Sequence, residues 1–124
     1  MHKNRLGIKG EVFAAELLQK QGMRIIAANY TCRYGEIDII AADHETICFV
    51  EVKTRRVNSM VSGPEAVTPQ KQRKIITTAL LYLQEHPCDL QPRFDVLAVT
   101  TARDGSILEY DYITGAFDSG EYYR

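Results

Sequence analysis

The 124-residue sequence has no tryptophan, and its three cysteines, Cys32, Cys48 and Cys88, include no C-x-x-C pair. An odd, widely spaced set of this kind excludes a disulfide framework and a structural zinc site. The thiols are expected to stay reduced in a cytoplasmic protein, with Cys48 as a small core residue. The three histidines, His2, His44 and His86, are scattered without ligand spacing. No stretch reaches the roughly 18 apolar residues of a membrane helix. The opening MHKNRLGIKG has basic residues but no apolar run behind it, so it does not read as a secretory signal. An excess of one charge is missing too. Fifteen Lys+Arg face sixteen Asp+Glu, and the pI near 6.3 argues against coating nucleic acid through bulk charge.

What is present suits one core. Apolar residues make up 45% of the chain, and the length suggests a single domain, residues 1–117, with a polar tail over 118–124. The charge is unevenly placed. Residues 1–74 carry 12 Lys+Arg and 8 Asp+Glu, whereas 75–124 carry 3 and 8. A basic first half can face a polyanion, or be an ordinary solvated surface. LGIKGEVFAAELLQKQG has helical apolar spacing and stops at Gly22. MRIIAANY, GEIDIIAAD and ETICFVEVK read as three strands, the last two a hairpin turning at Asp43–His44. VNSMVSGPEAV has no period and reads as a loop. Thr68–Pro69 supplies an N-cap and a first-turn proline for a second helix running to Pro87. RFDVLAVTTA and ILEYDYITGAF close the chain as strands, the second at an edge. The order α-β-β-β-α-β-β predicts an α/β protein, a mixed sheet flanked by helices.

The hairpin over Gly35–Thr54 places charges where a buried strand should have none. Residues i and i+2 of a strand share a face, so Ile47, Phe49, Glu51 and Lys53 line one side and Cys48, Val50 and Val52 the other. Both sides are apolar until Glu51 and Lys53, and Asp38 is embedded in EIDIIAA on the partner strand. A buried charge costs several kcal/mol unless it is paired or binds a metal. Two carboxylates with waters and a substrate phosphate make a Mg²⁺ site, beside which a lysine can orient the attacking water. A structural ion-pair cluster is the other reading of the same residues.

These residues resemble the PD-(D/E)XK nuclease core: Asp38, then Glu51-Val52-Lys53, with Ile37 where that motif's name has proline. The 13-residue separation of Asp38 and Glu51 is typical of the Holliday-junction-resolvase branch. GIKGEVFAAELLQKQG, NYTCRYGEIDIIA, FVEVKTR, AVTPQKQRKIITTALLYL and RFDVLAV together resemble the bacterial YraN family over nearly the whole chain. The resemblance implies a restriction-endonuclease-like core and a metal-dependent endonuclease acting on DNA, branched DNA included. It implies Mg²⁺ or Mn²⁺ held by Asp38, Glu51 and Glu11, with Lys53 serving the water. Glu11, four residues after Gly7, enters through the resemblance alone; by itself it reads as a solvated helix charge. Glu36 either ligates metal or hydrogen-bonds backbone. Arg33, Arg55, Arg56, Lys71 and Lys74 are candidates for phosphate contacts, or plain loop charge. Asp95 reads as structural. Paired cuts would need a homodimer. The rival function is a non-catalytic nucleic-acid- or protein-binding module that retains the nuclease fold; a third reading is an adaptor using MVSGPEAV as its contact.

Overall fold

The computed structural model describes residues 5–58 and 67–121. Of the expected loop over 57–67, residues 59–66 lie outside them, and with them all of the adaptor contact MVSGPEAV but Val67, which is buried. Helix α1 spans Arg5–Lys20 and buries Gly10, Ala14 and Leu18, an i, i+4, i+8 stripe. It stops where Gly22 takes φ +88°. Met23 N–H then donates to Leu18 O at 3.0 Å, satisfying one of the last-turn carbonyls.

Five strands follow: β1 (Arg24–Cys32), β2 (Gly35–Ala42), β3 (Thr46–Arg56), β4 (Gln91–Thr101) and β5 (Ile107–Phe117), with α2 (Pro69–Glu85) between β3 and β4. This is the expected order. The sheet runs β1-β2-β3-β4-β5, antiparallel except for the central β3–β4 pair, which is parallel. A parallel pair needs a crossover, and α2 provides it. The predicted edge position of β5 holds.

Each helix covers one face of the sheet. Ala14 and Leu18 of α1 pack with Ile39, Ala41, Cys48 and Val50. Ile75, Ile76, Ala79 and Tyr82 of α2 pack with Ile40, Ala42, Ile47 and Phe49. The alternation along β2 and β3 thus feeds two cores, which is why both strands read as continuous apolar runs. Cys48 is fully buried, and burial pushes its thiol up to about 12. Thr68 caps α2 as expected, its hydroxyl accepting Lys71 N–H at 3.2 Å. The β2–β3 turn is tied by Asp43, whose Oδ1 accepts Glu45 N–H and Thr46 N–H, both at 2.8 Å.

Several boundaries differ from the sequence reading: β3 runs past Lys53 to Arg56, and α2 stops at Glu85, short of Pro87. β1 continues past Tyr30 to Cys32, because Thr31 pairs with Glu36 and Cys32 with Gly35. That makes β1–β2 a second hairpin, turning on Arg33–Tyr34. β4 begins at Gln91, since β3 offers partners back to Thr46. The tail opens with a 3-10 turn, Ser119–Glu121. Among the described residues, no helix is long and apolar enough to cross a membrane.

Candidate functional site

The β2–β3 ladder runs from Ala42 opposite Ile47 to Ile39 opposite Val50. One step further in the same register, Asp38 faces Glu51, and there the backbone ladder stops. Val52 N–H donates instead to Asp38 Oδ2 at 2.8 Å, so a carboxylate takes the place of a strand carbonyl. Both acids lie on the α2 side of the sheet, beside Ile40 and Phe49. Both are buried, Asp38 being 5% exposed and Glu51 7%.

Two carboxylates this close and this dry cannot both ionise cheaply. Burial pushes the Glu51 carboxyl up to about 8, helped by the hydrogen bond to Asp38 and by the Asp38 charge; the Lys71 ammonium opposes the rise. At neutral pH the pair therefore retains a proton. Lys71 Nζ stands 3.0 Å from Glu51 Oε2 on a half-exposed side chain. Among the described residues, that oxygen is buried and in charge contact with Lys71 but makes no well-formed hydrogen bond. Such a pair fits a hard dication, because Mg²⁺ is commonly held by one or two carboxylates with water and substrate oxygens completing its shell. Among the described residues, no cluster of three or more His, Cys, Asp or Glu forms.

The acid pair lines a cavity of about 700 Å³. The β1–β2 turn forms one wall through Arg33 and Tyr34, and the first turns of α2 form the other through Gln70, Lys71 and Lys74. Arg33 folds over its neighbour: its guanidinium carbon lies 4.8 Å from the Tyr34 ring centroid, and Nη2 donates to Tyr34 Oη at 2.6 Å. Acids and bases lining one cavity can take a cation and a phosphate together.

The remaining candidates fall in different places. Glu36 lines the cavity. Lys53 is half-buried, two residues beyond Glu51 on the same face, and is not among the described lining residues. Arg55 and Arg56 end β3 outside that lining; the Arg55 carbonyl accepts Thr101 Oγ1–H at 3.5 Å. Glu11 is on α1, which packs against the opposite face, and follows Gly10, whose Cα crosses Val52 and Thr54. It too is absent from the cavity lining. Tyr30 is a packing residue, edge-on to Tyr82 and donating its hydroxyl to Glu85 Oε1 at 3.1 Å. Asp95 is structural, as read: fully buried, it accepts from Arg93, Tyr112 and Gly115 N–H.

The pairing of Lys71 with Glu51 was not anticipated. A usable signal existed, since the helix of a parallel crossover starts near the C-terminal end of the preceding strand, where α/β ligands gather. Thr68–Pro69 marks that start.

Fold and site together define a class: a small mixed α/β protein with a buried acid pair midway along the central strand β3, where its pairing with β2 ends, facing a basic-walled cavity. The chain belongs to the family described as "Uncharacterised protein family UPF0102", whose profile matches residues 10–99. This is the family to which the YraN resemblance pointed. A UPF0102 protein of Pseudomonas syringae pv. tomato is 39% identical over 122 residues, covering 94% of this chain and 95% of the relative. One from Geobacter sulfurreducens is 44% identical over 119 residues, covering 94% and 91%. One from Prosthecochloris aestuarii is 48% identical over 117 residues, covering 90% and 92%.

Proposed function

We propose that the protein is a metal-dependent DNA endonuclease with a PD-(D/E)XK, resolvase-like site. The observation that carries the reading is the contact between Asp38 and Glu51, two buried carboxylates that line a cavity together with Arg33, Lys71 and Lys74. Asp38 and Glu51 would hold Mg²⁺ or Mn²⁺, with Glu11 as the further carboxylate that the family resemblance supplies. When bound, the cation would polarise the scissile phosphate and lower the pKa of a coordinated water. Lys53, on the Glu51 face, orients the attacking water, and its ammonium stabilises charge gathering on the phosphate. Arg33, Lys71 and Lys74 hold flanking phosphates inside the cavity; Arg55 and Arg56 extend that contact beyond it. The setting would be cytoplasmic, and paired cuts in branched DNA would need a homodimer.

The test is cleavage of branched, nicked, linear duplex and single-stranded DNA, with Mg²⁺, with Mn²⁺ and with neither. Cation-dependent cleavage, lost in Glu51→Gln and Lys53→Ala, supports the reading. Tight DNA binding with no cleavage under any condition would replace it with a non-catalytic binding module.

A further inference from the structure

Lys71 makes an ion pair with Glu51, and it does so from the first turn of α2. The start of its helix is fastened by two hydrogen bonds. The Lys71 N–H is held by the Thr68 hydroxyl, and Gln72 Nε2 donates to Val67 O at 2.8 Å, with Val67 buried in the core. The helix start cannot drift, but the lysine side chain is half exposed and free to swing on its four-carbon stem. Glu51 has no such freedom: it is buried midway along the central strand β3.

Resting on the metal-site reading above, we infer that Lys71 is a built-in counter-ion that occupies the Glu51 side of the acid pair and must leave it when a divalent cation loads. The released ammonium stays within the cavity it already lines, on the same wall as Lys74. There it meets the substrate phosphate. Lys71 is thus a positioning residue that couples loading of the cation to grip on the nucleic acid. In its resting place it holds the Glu51 carboxyl in line and keeps the buried pair compensated.

Position, not side-chain type, distinguishes Lys71 from Lys74, which lines the cavity without an ion pair to that carboxylate among the described residues. A competing counter-ion weakens the cation's affinity specifically, whereas a cavity-wide field would be shared by both lysines. Substituting Lys71 should therefore tighten cation binding, and substituting Lys74 should leave it nearly unchanged.

The experiment is calorimetric titration of Mn²⁺ into the DNA-free wild type, Lys71→Met, Lys74→Met and Glu51→Gln. The expected result is about tenfold tighter Mn²⁺ binding in Lys71→Met and less than about twofold change in Lys74→Met. In parallel, Lys71→Met should bind DNA more weakly in Ca²⁺ than wild type does. Mn²⁺ binding that Glu51→Gln abolishes but Lys71→Met leaves unchanged would overturn the counter-ion inference alone. So would equal tightening in the two lysine variants. Absence of Glu51-dependent Mn²⁺ binding in the wild type would overturn the metal site and, with it, this inference.

Discussion

The Asp38 carboxylate accepts the backbone N–H of Val52 at 2.8 Å, the residue between Glu51 and Lys53. One side chain thus both terminates the β2–β3 ladder and sets the position of the strand that carries the other two. Asparagine at position 38 keeps a carbonyl oxygen for that N–H, so Asp38→Asn should fold normally. Leucine leaves it without its partner, and Asp38→Leu should cost about 1–3 kcal/mol in urea unfolding. Equal stability of the two variants would remove Asp38 from this backbone role.

Glu51 gives stability a pH signature. Its folded-state pKa is about 8 against an ordinary 4.5, so between those values the folded state holds a proton that the unfolded chain has lost. The favourable contribution is fully present below pH 4.5 and is lost as pH rises towards 8. Each pH unit inside that window can remove up to about 1.4 kcal/mol. Glu51→Gln, which cannot ionise, should flatten the decline and exceed wild-type stability at pH 8 when no divalent cation is present. Melting temperatures of the two proteins from pH 5 to 8 check this; parallel profiles would contradict it.

Asp95 is the buried acid with a different job. Arg93 grips it through Nε at 2.9 Å and Nη2 at 3.0 Å, Tyr112 donates its hydroxyl, and Gly115 N–H donates at 2.9 Å. Burial, reinforced by that contact, pushes the Tyr112 hydroxyl pKa upward. Asp95→Ala strands a partly buried guanidinium and a backbone donor, and should cost about 3–5 kcal/mol. Cation binding per folded molecule should stay at the wild-type level.

Gly10 is needed where α1 crosses β3. A Cβ there would overlap Thr54 Oγ1. Gly10→Ala should destabilise by about 1–3 kcal/mol through overpacking. Adding Thr54→Ala removes the clashing atom, so the double variant should recover part of the loss. Additive losses in urea unfolding would show that the crossing is not the cause.

The fold was legible wherever a local pattern decided it. Two-residue alternation grouped Asp38 with Ile40 and Ala42, grouped Glu51 with Phe49, and set Cys48 and Phe49 on opposite sides; that the first two groups share one face follows only from the β2–β3 register. Thr68–Pro69 located the start of α2 to the residue. Less legible was what depends on pairing at a distance. Thr31 suits a strand but Cys32 and the Arg33–Tyr34 turn carry no strong signal; β1 extends to Cys32 because Glu36 and Gly35 offer partners. Lys71 looked like one basic residue among several, and only the crossover of α2 brings it to Glu51. Glu11 came from family resemblance, and the packing of α1 on the far face does not bring it into the cavity lining.

The central claim is that Asp38 and Glu51 together hold a divalent cation. Crystals grown with Mn²⁺ and measured for anomalous scattering test it at the atoms themselves. A manganese peak about 2.0–2.2 Å from an oxygen of each carboxylate, with Lys71 Nζ withdrawn from Glu51, is the predicted result. An acid pair with no peak beside it, and Lys71 still 3.0 Å from Glu51, would contradict the account and leave a structural ion-pair cluster.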